Sequence, residues 1–132
     1  MTTFVPHFTT FYMKEAPQLV DTIVEALQEK KGKDILIADI SQLETAVCGA
    51  MIICSAGSPA QMNALAQEVG EATIEKNGVK PMAAHGMHYA HWIAVDYGEV
   101  IVHIFLPEER AFDDLEHLWA DAEITRIPNL DD

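Results

Sequence analysis

The chain has 132 residues, with 8 lysines and arginines against 21 aspartates and glutamates, for a formal charge of −13. At this length one domain is the default, and folding can bury roughly two-thirds of the unfolded surface, enough for a core without disulfides or metals. With 49% hydrophobic and 22% charged residues the composition is that of a folded domain, and the acidic excess weighs against direct nucleic-acid binding while suiting a basic partner.

Residues 1–16 hold Phe4, Phe8, Phe11 and Tyr12 without a clean period, and read as a mobile N-terminal extension. Pro17 then opens a helical pattern, because proline suits a first turn. Leu19, Ile23 and Leu27 form a stripe beside Val20 and Val24, and Gly32 marks the stop. Asp34–Ile40 and Ala50–Ala56 are short apolar runs rich in isoleucine, expected to be buried strands. Ser58 can cap the following helix, with Pro59 at its first position. Met62, Leu65, Ala66, Val69 and Thr73 carry the helical spacing until Asn77-Gly78 breaks it. A short strand is expected near Val79–Met82, completing a crossover.

Trp92–Asp96 and Glu99–Phe105 flank Tyr97-Gly98 in the manner of a β-hairpin. A two-residue turn would set Asp96 opposite Glu99, Ala94 opposite Ile101 and Trp92 opposite His103. One face then carries Ile93, Val95, Val100, Val102 and Ile104, all aliphatic and fit for the core. The other carries Trp92, Ala94, Asp96, Glu99, Ile101, His103 and Phe105, a mixture suited to recognition. A slip of one residue would exchange the two faces. Phe112, Leu115, Leu118 and Trp119 mark a closing amphipathic helix, and residues 122–132 read as an unstructured acidic tail. The single domain is thus expected over residues 17–121.

Cys48 and Cys54 do not make a disulfide framework: on one strand, six residues at ~3.3 Å each would hold them ~20 Å apart. Reduced thiols in a cytoplasmic protein are the simpler reading. No apolar run approaches the roughly 18–20 residues of a membrane span, and the N-terminus lacks a basic targeting region.

His85, His88 and His91 recur at every third position and invite a metal, but the spacing matches no established zinc pattern. A solvated histidine loop is the alternative, and neither a metal nor a cofactor is expected. Ser55-Ala56-Gly57-Ser58 joins a strand to a helix where amides could hold an anion. It lacks the longer glycine-rich loop and Lys-Ser/Thr ending of a phosphate-binding loop. A nucleotidyltransferase would need paired carboxylates on a following strand, and Val79-Lys80-Pro81-Met82 offers none. Neither cysteine nor Ser58 sits in a nucleophile motif. The residues therefore describe an acidic, non-enzymatic α/β interaction domain, with a nucleotidyltransferase-related nucleotide-binding enzyme as the alternative.

Gly78-Val79-Lys80-Pro81, Gly86, the run from Trp92 through Phe105, then Arg110, Phe112, Leu115-Glu116 and Leu118-Trp119 resemble the bacterial ribosomal silencing factor S (Iojap) family. The resemblance extends over about residues 17–121. This chain departs from the family pattern in having Ser55-Ala56-Gly57-Ser58 for a Thr-Gly-Thr-Ser turn, His85 for an acid, Met87 for a frequent arginine and Asp113 for a tyrosine. The resemblance implies a nucleotidyltransferase-like mixed β-sheet of about five strands with packed helices, without catalytic carboxylates. It also implies binding to the large ribosomal subunit through ribosomal protein fourteen. The bound factor would block subunit association and repress translation when nutrients are short. On that view Trp92 and Phe105 are apolar anchors, Tyr97 is a contact at the hairpin tip, and Asp96 and Glu99 pair with basic side chains. His103 positions the indole or faces the partner, while Arg110, Glu116 and Trp119 orient the closing helix. A homodimer hiding the same aromatic patch is a further expectation.

Overall fold

The computed structural model describes residues 17–41, 49–86, 91–109 and 122–130. Among the described residues two main helices and six strands follow in the order α1 (Pro17–Glu29), β1 (Lys33–Asp39), β2 (Ala50–Ser55), α2 (Pro59–Asn77), β3 (Ala83–His85), β4 (Trp92–Asp96), β5 (Val100–Phe105) and β6 (Glu123–Arg126). They form one mixed sheet in the order β3-β4-β5-β2-β1-β6. Among the described strands β2 and β5 pair in parallel, while β1 with β2, β1 with β6, β3 with β4 and β4 with β5 are antiparallel.

The helical stripe does what its spacing predicts. Val20, Ile23, Val24 and Leu27 of α1 are fully buried, with Met62, Leu65 and Val69 of α2, against Ile35, Ile52, Ile93, Val102 and Ile104 of the sheet. The opposite sheet face carries a second apolar cluster of Leu36, Ala38, Ile40, Met51, Ile53 and Phe105. β1 and β2 therefore read as continuous apolar runs because both of their faces are buried.

The helix ends follow from local chemistry. Ser58 is the N-cap of α2, its hydroxyl accepting from Gln61 N at 3.1 Å, and Pro59 occupies the first turn. Gly78, at φ 67°, ends the helix with its amide on Ile74 O. At the end of α1 the left-handed residue is Lys31 (φ 64°), not the expected Gly32. Gly32 has a different reason to be glycine: a Cβ there would meet Cys54 Sγ of β2 and lie 3.3 Å from Leu65 Cδ2. Close packing, rather than a turn angle, excludes a side chain.

Two expectations are corrected. The strand after α2 is Ala83–His85 rather than Val79–Met82, because Pro81 lacks the amide that pairing requires. The predicted unstructured tail contributes the sixth strand: β6 pairs with β1, matching Leu36 with Arg126 and Asp39 with Glu123. Ile127 is then buried, its amide on Ile35 O at 2.8 Å, and Asn129 Oδ1 accepts from Asp34 N at 2.8 Å. Residues 1–16, Cys48, His88 and 110–121, with Arg110, Glu116 and Trp119, lie outside the described residues. Cys54 is buried. Among the described residues no helix is long and apolar enough to cross a membrane.

Candidate functional site

The β4–β5 ladder runs from Trp92 opposite Phe105 to Asp96 opposite Ile101. This register is two residues away from the one a Tyr97-Gly98 turn would give: Tyr97 N donates to Val100 O at 2.8 Å, which moves the turn one residue on, to Gly98-Glu99. A shift of two preserves side-chain parity, and the two faces are those expected. Ile93, Val95, Val100, Val102 and Ile104 are buried against the helices. Trp92, Ala94, Asp96, Ile101, His103 and Phe105 share the other face.

On that face three rings are packed together. Trp92 is 46% exposed, yet its indole stacks on Phe105, with centroids 5.4 Å apart and planes inclined by 18°. His103 lies 5.7 Å from the indole and 6.1 Å from Phe105. Trp92 Nε1 donates to His103 Nδ1 at 3.0 Å, and His103 Nε2 lies 3.0 Å from Met51 Sδ. An indole N–H can only donate, so Nδ1 must be unprotonated and Nε2 carries the proton, directed at the thioether. Burial pushes the His103 pKa from 6.5 down to about 4, keeping the imidazole in this neutral form. The indole is thereby held on two sides while its outer face meets solvent.

The other expected residues divide between surface and support. Glu99 is exposed at the hairpin end, and its carbonyl accepts from Gly49 N and Ala50 N at 2.9 and 3.1 Å. Asp96 is half-buried, and its Oδ1 accepts from Gly98 N at 2.7 Å, so the carboxylate also shapes the turn. Phe105 has no exposed surface and lies stacked against the tryptophan. Tyr97 is likewise buried. Its hydroxyl lies 2.9 Å from Thr73 Oγ1 of α2, and burial raises its pKa while the Thr73 bond lowers it. Tyr97 is a brace between hairpin and helix. Gly86 (φ 85°) permits the chain to pass against Trp92, since a Cβ there would meet the Trp92 carbonyl.

Sequence reasoning missed Met51 and Thr73. Both lie far along the chain from the groups they touch, and only the parallel alignment that sets Ile53 beside His103 brings Met51 under the imidazole. His85 and His91 are exposed, and the described residues include no group of three His, Cys, Asp or Glu side chains able to hold a metal. At the Ser55–Ser58 turn, Gln61 Oε1 accepts from Gly57 N at 2.6 Å and its Nε2 donates to Lys30 O and Lys31 O. The chain's own amide thus occupies the position an anion would take.

Fold and site together define an α/β domain whose six-strand sheet presents an oriented aromatic surface at one hairpin. A family model described as "ribosomal silencing factor during starvation" matches residues 13–132. Among similar proteins, the ribosomal silencing factor RsfS of Chromobacterium violaceum is 36% identical over 105 residues, covering 80% of this chain and 84% of that one. RsfS of Bacillus subtilis is 34% identical over 102 residues, covering 77% and 85%. The chloroplastic protein Iojap of Zea mays is 31% identical, covering 81% of this chain and 46% of its own. The crystal structure of a C. violaceum protein superposes with a TM-score of 0.73 at 36% identity, covering 78% of this chain and 84% of that one. The chain belongs to the ribosomal silencing factor RsfS/Iojap family, whose members are non-enzymatic ribosome regulators.

Proposed function

We propose that this protein binds the large ribosomal subunit in the cytoplasm through basic ribosomal protein fourteen, using the outer face of the β4–β5 hairpin. By its bulk it then blocks association with the small subunit and represses translation under nutrient limitation. The observation that carries this reading is an exposed tryptophan, Trp92, fixed in orientation by a hydrogen bond and a stacked ring. An exposed large aromatic that is already ordered loses little side-chain entropy on binding, which suits it to anchor a contact. Asp96 and Glu99 add negative charge at the turn end of the same hairpin, and the −13 charge steers the chain toward a basic surface. Ribosome association follows the names its relatives carry. Steric exclusion needs no reacting group.

Co-sedimentation with isolated large subunits, with subunit joining followed by light scattering, tests the proposal. Trp92→Ala is expected to weaken capture at least about tenfold, as an interface tryptophan usually does, with the fold retained. Asp96→Lys is expected to slow association most at low salt, where charges are least screened. Wild-type protein that sediments alone, or that binds and leaves joining unchanged, refutes the mechanism. A dimer formed through the same face would compete with large subunits, and their occupancy would then rise less steeply with protein concentration than for a monomer.

A further inference from the structure

What Trp92 offers a partner is narrower than the surface of a large apolar side chain. An indole has one hydrogen-bond donor and no acceptor, and the donor is spent, because Trp92 Nε1 bonds His103 Nδ1 at 3.0 Å. Phe105 stacks on one face of the ring, with the planes inclined by 18°. The 46% of Trp92 that is exposed therefore presents the opposite face and the ring edge away from His103. A neutral hydrogen-bonding group finds no polar atom there. Two modes of contact remain, apolar packing and attraction of a cation to the electron-rich face.

The surroundings decide between them. An apolar partner surface needs an apolar patch to lie on, and among the described residues the other exposed large hydrophobic side chains are elsewhere: Ile74, Met82 and Leu130. Ile74 is on α2, and Met82 lies against Gly98 at the turn end of the hairpin. Leu130 follows β6, at the opposite edge of the sheet. The charges near Trp92 are acidic. β3, β4 and β5 carry Asp96 and no lysine or arginine. Leu106 N bonds His91 O at 3.4 Å beside Trp92, and the chain continues from there into Glu108 and Glu109, the first of them exposed. We infer that the outer face of Trp92 is a cation–π site for an arginine side chain of the partner, whose guanidinium lies over the indole and turns its edge N–H groups toward Glu108 and Glu109. Arginine suits the place better than lysine because its planar, weakly hydrated head keeps those donors while it stacks. That the arginine belongs to a ribosomal protein rests on the reading above; the chemistry of the site does not.

The test replaces Trp92 alone, in the full-length chain, by tryptophans bearing an increasing number of ring fluorines, introduced by cell-free suppression. Fluorine withdraws charge from the ring face while keeping its apolar area and its N–H, so the bond to His103 survives and is checked by the indole N–H resonance. Two probes are titrated at matched ionic strength: isolated large subunits, and a hexa-arginine peptide read at the Trp92 indole resonances. Both affinities are expected to fall stepwise with fluorine number, by about threefold to thirtyfold across the series, the range of one cation–π contact. Hexa-lysine is expected to move the Trp92 resonances less than hexa-arginine. Affinities that stay level or rise with fluorine number, as apolar packing would give, overturn the inference, and so does an equal or larger response to hexa-lysine. Large subunits that bind no member of the series, beside a hexa-arginine series that falls as expected, refute the ribosomal reading and leave the arginine site standing.

Discussion

Lowering the pH should attack the indole clamp at a single atom. The fold holds His103 neutral with its pKa near 4, whereas the unfolded chain takes up the proton near 6.5. Because the folded value is the lower one, this contribution is intact above about pH 6.5 and is lost as pH falls toward 4. The gap of about 2.5 pH units corresponds to about 3 kcal/mol, a sizeable part of a small domain's stability. Protonation also turns Nδ1 from acceptor to donor, facing the Trp92 N–H, so the clamp cannot survive it. The assay is urea unfolding of wild type and His103→Gln across this range, followed by tryptophan fluorescence in a Trp119→Phe background. Glutamine can still accept from the indole through its amide oxygen but does not titrate, and all other groups cancel in the difference. The variant is expected to gain about 3 kcal/mol relative to wild type between pH 6.5 and 4. A difference that stays flat with pH would refute a neutral, buried His103.

Two further substitutions separate packing from recognition. Gly32→Ala places a methyl group against Cys54 Sγ and should cost about 1–3 kcal/mol as overpacking, measured by denaturant midpoint, with partial recovery in Gly32→Ala/Cys54→Ala. Tyr97→Phe removes the hydroxyl shared with Thr73 and should cost about 1 kcal/mol while leaving capture of large subunits unchanged; Thr73 Oγ1 retains Gly70 O at 3.2 Å. Lost capture without lost stability would make Tyr97 a contact after all.

What could be read from the sequence was what the chain decides locally. Ser58-Pro59 and Asn77-Gly78 delimit α2 through a cap and a left-handed turn, both properties of neighbouring residues. The hairpin faces could also be read, even though the register could not. A two-residue error moves every partner along the ladder yet leaves Ile93 with Ile104 and Trp92 with Phe105 on their proper sides. β6 could not be read, because Glu123-Ile124-Thr125-Arg126 is short and charged at both ends. Only the edge of β1 makes it a strand.

The division of roles within the aromatic face was hidden for a related reason. Alternation places Trp92, His103 and Phe105 on one side but does not say how deep each lies. Depth comes from the neighbouring strand: β2 runs parallel to β5 and places Ile53 beside His103 and Ser55 beside Phe105, with Met51 meeting the imidazole. β5 is therefore interior, flanked by β2 and β4, and its two rings are buried. On its other side β4 pairs with β3 as far as His85 opposite Ala94, and among the described residues none pairs with Trp92 on that side. The tryptophan is exposed at the end of β4 away from the hairpin turn. It is oriented because the strand on its other side is central.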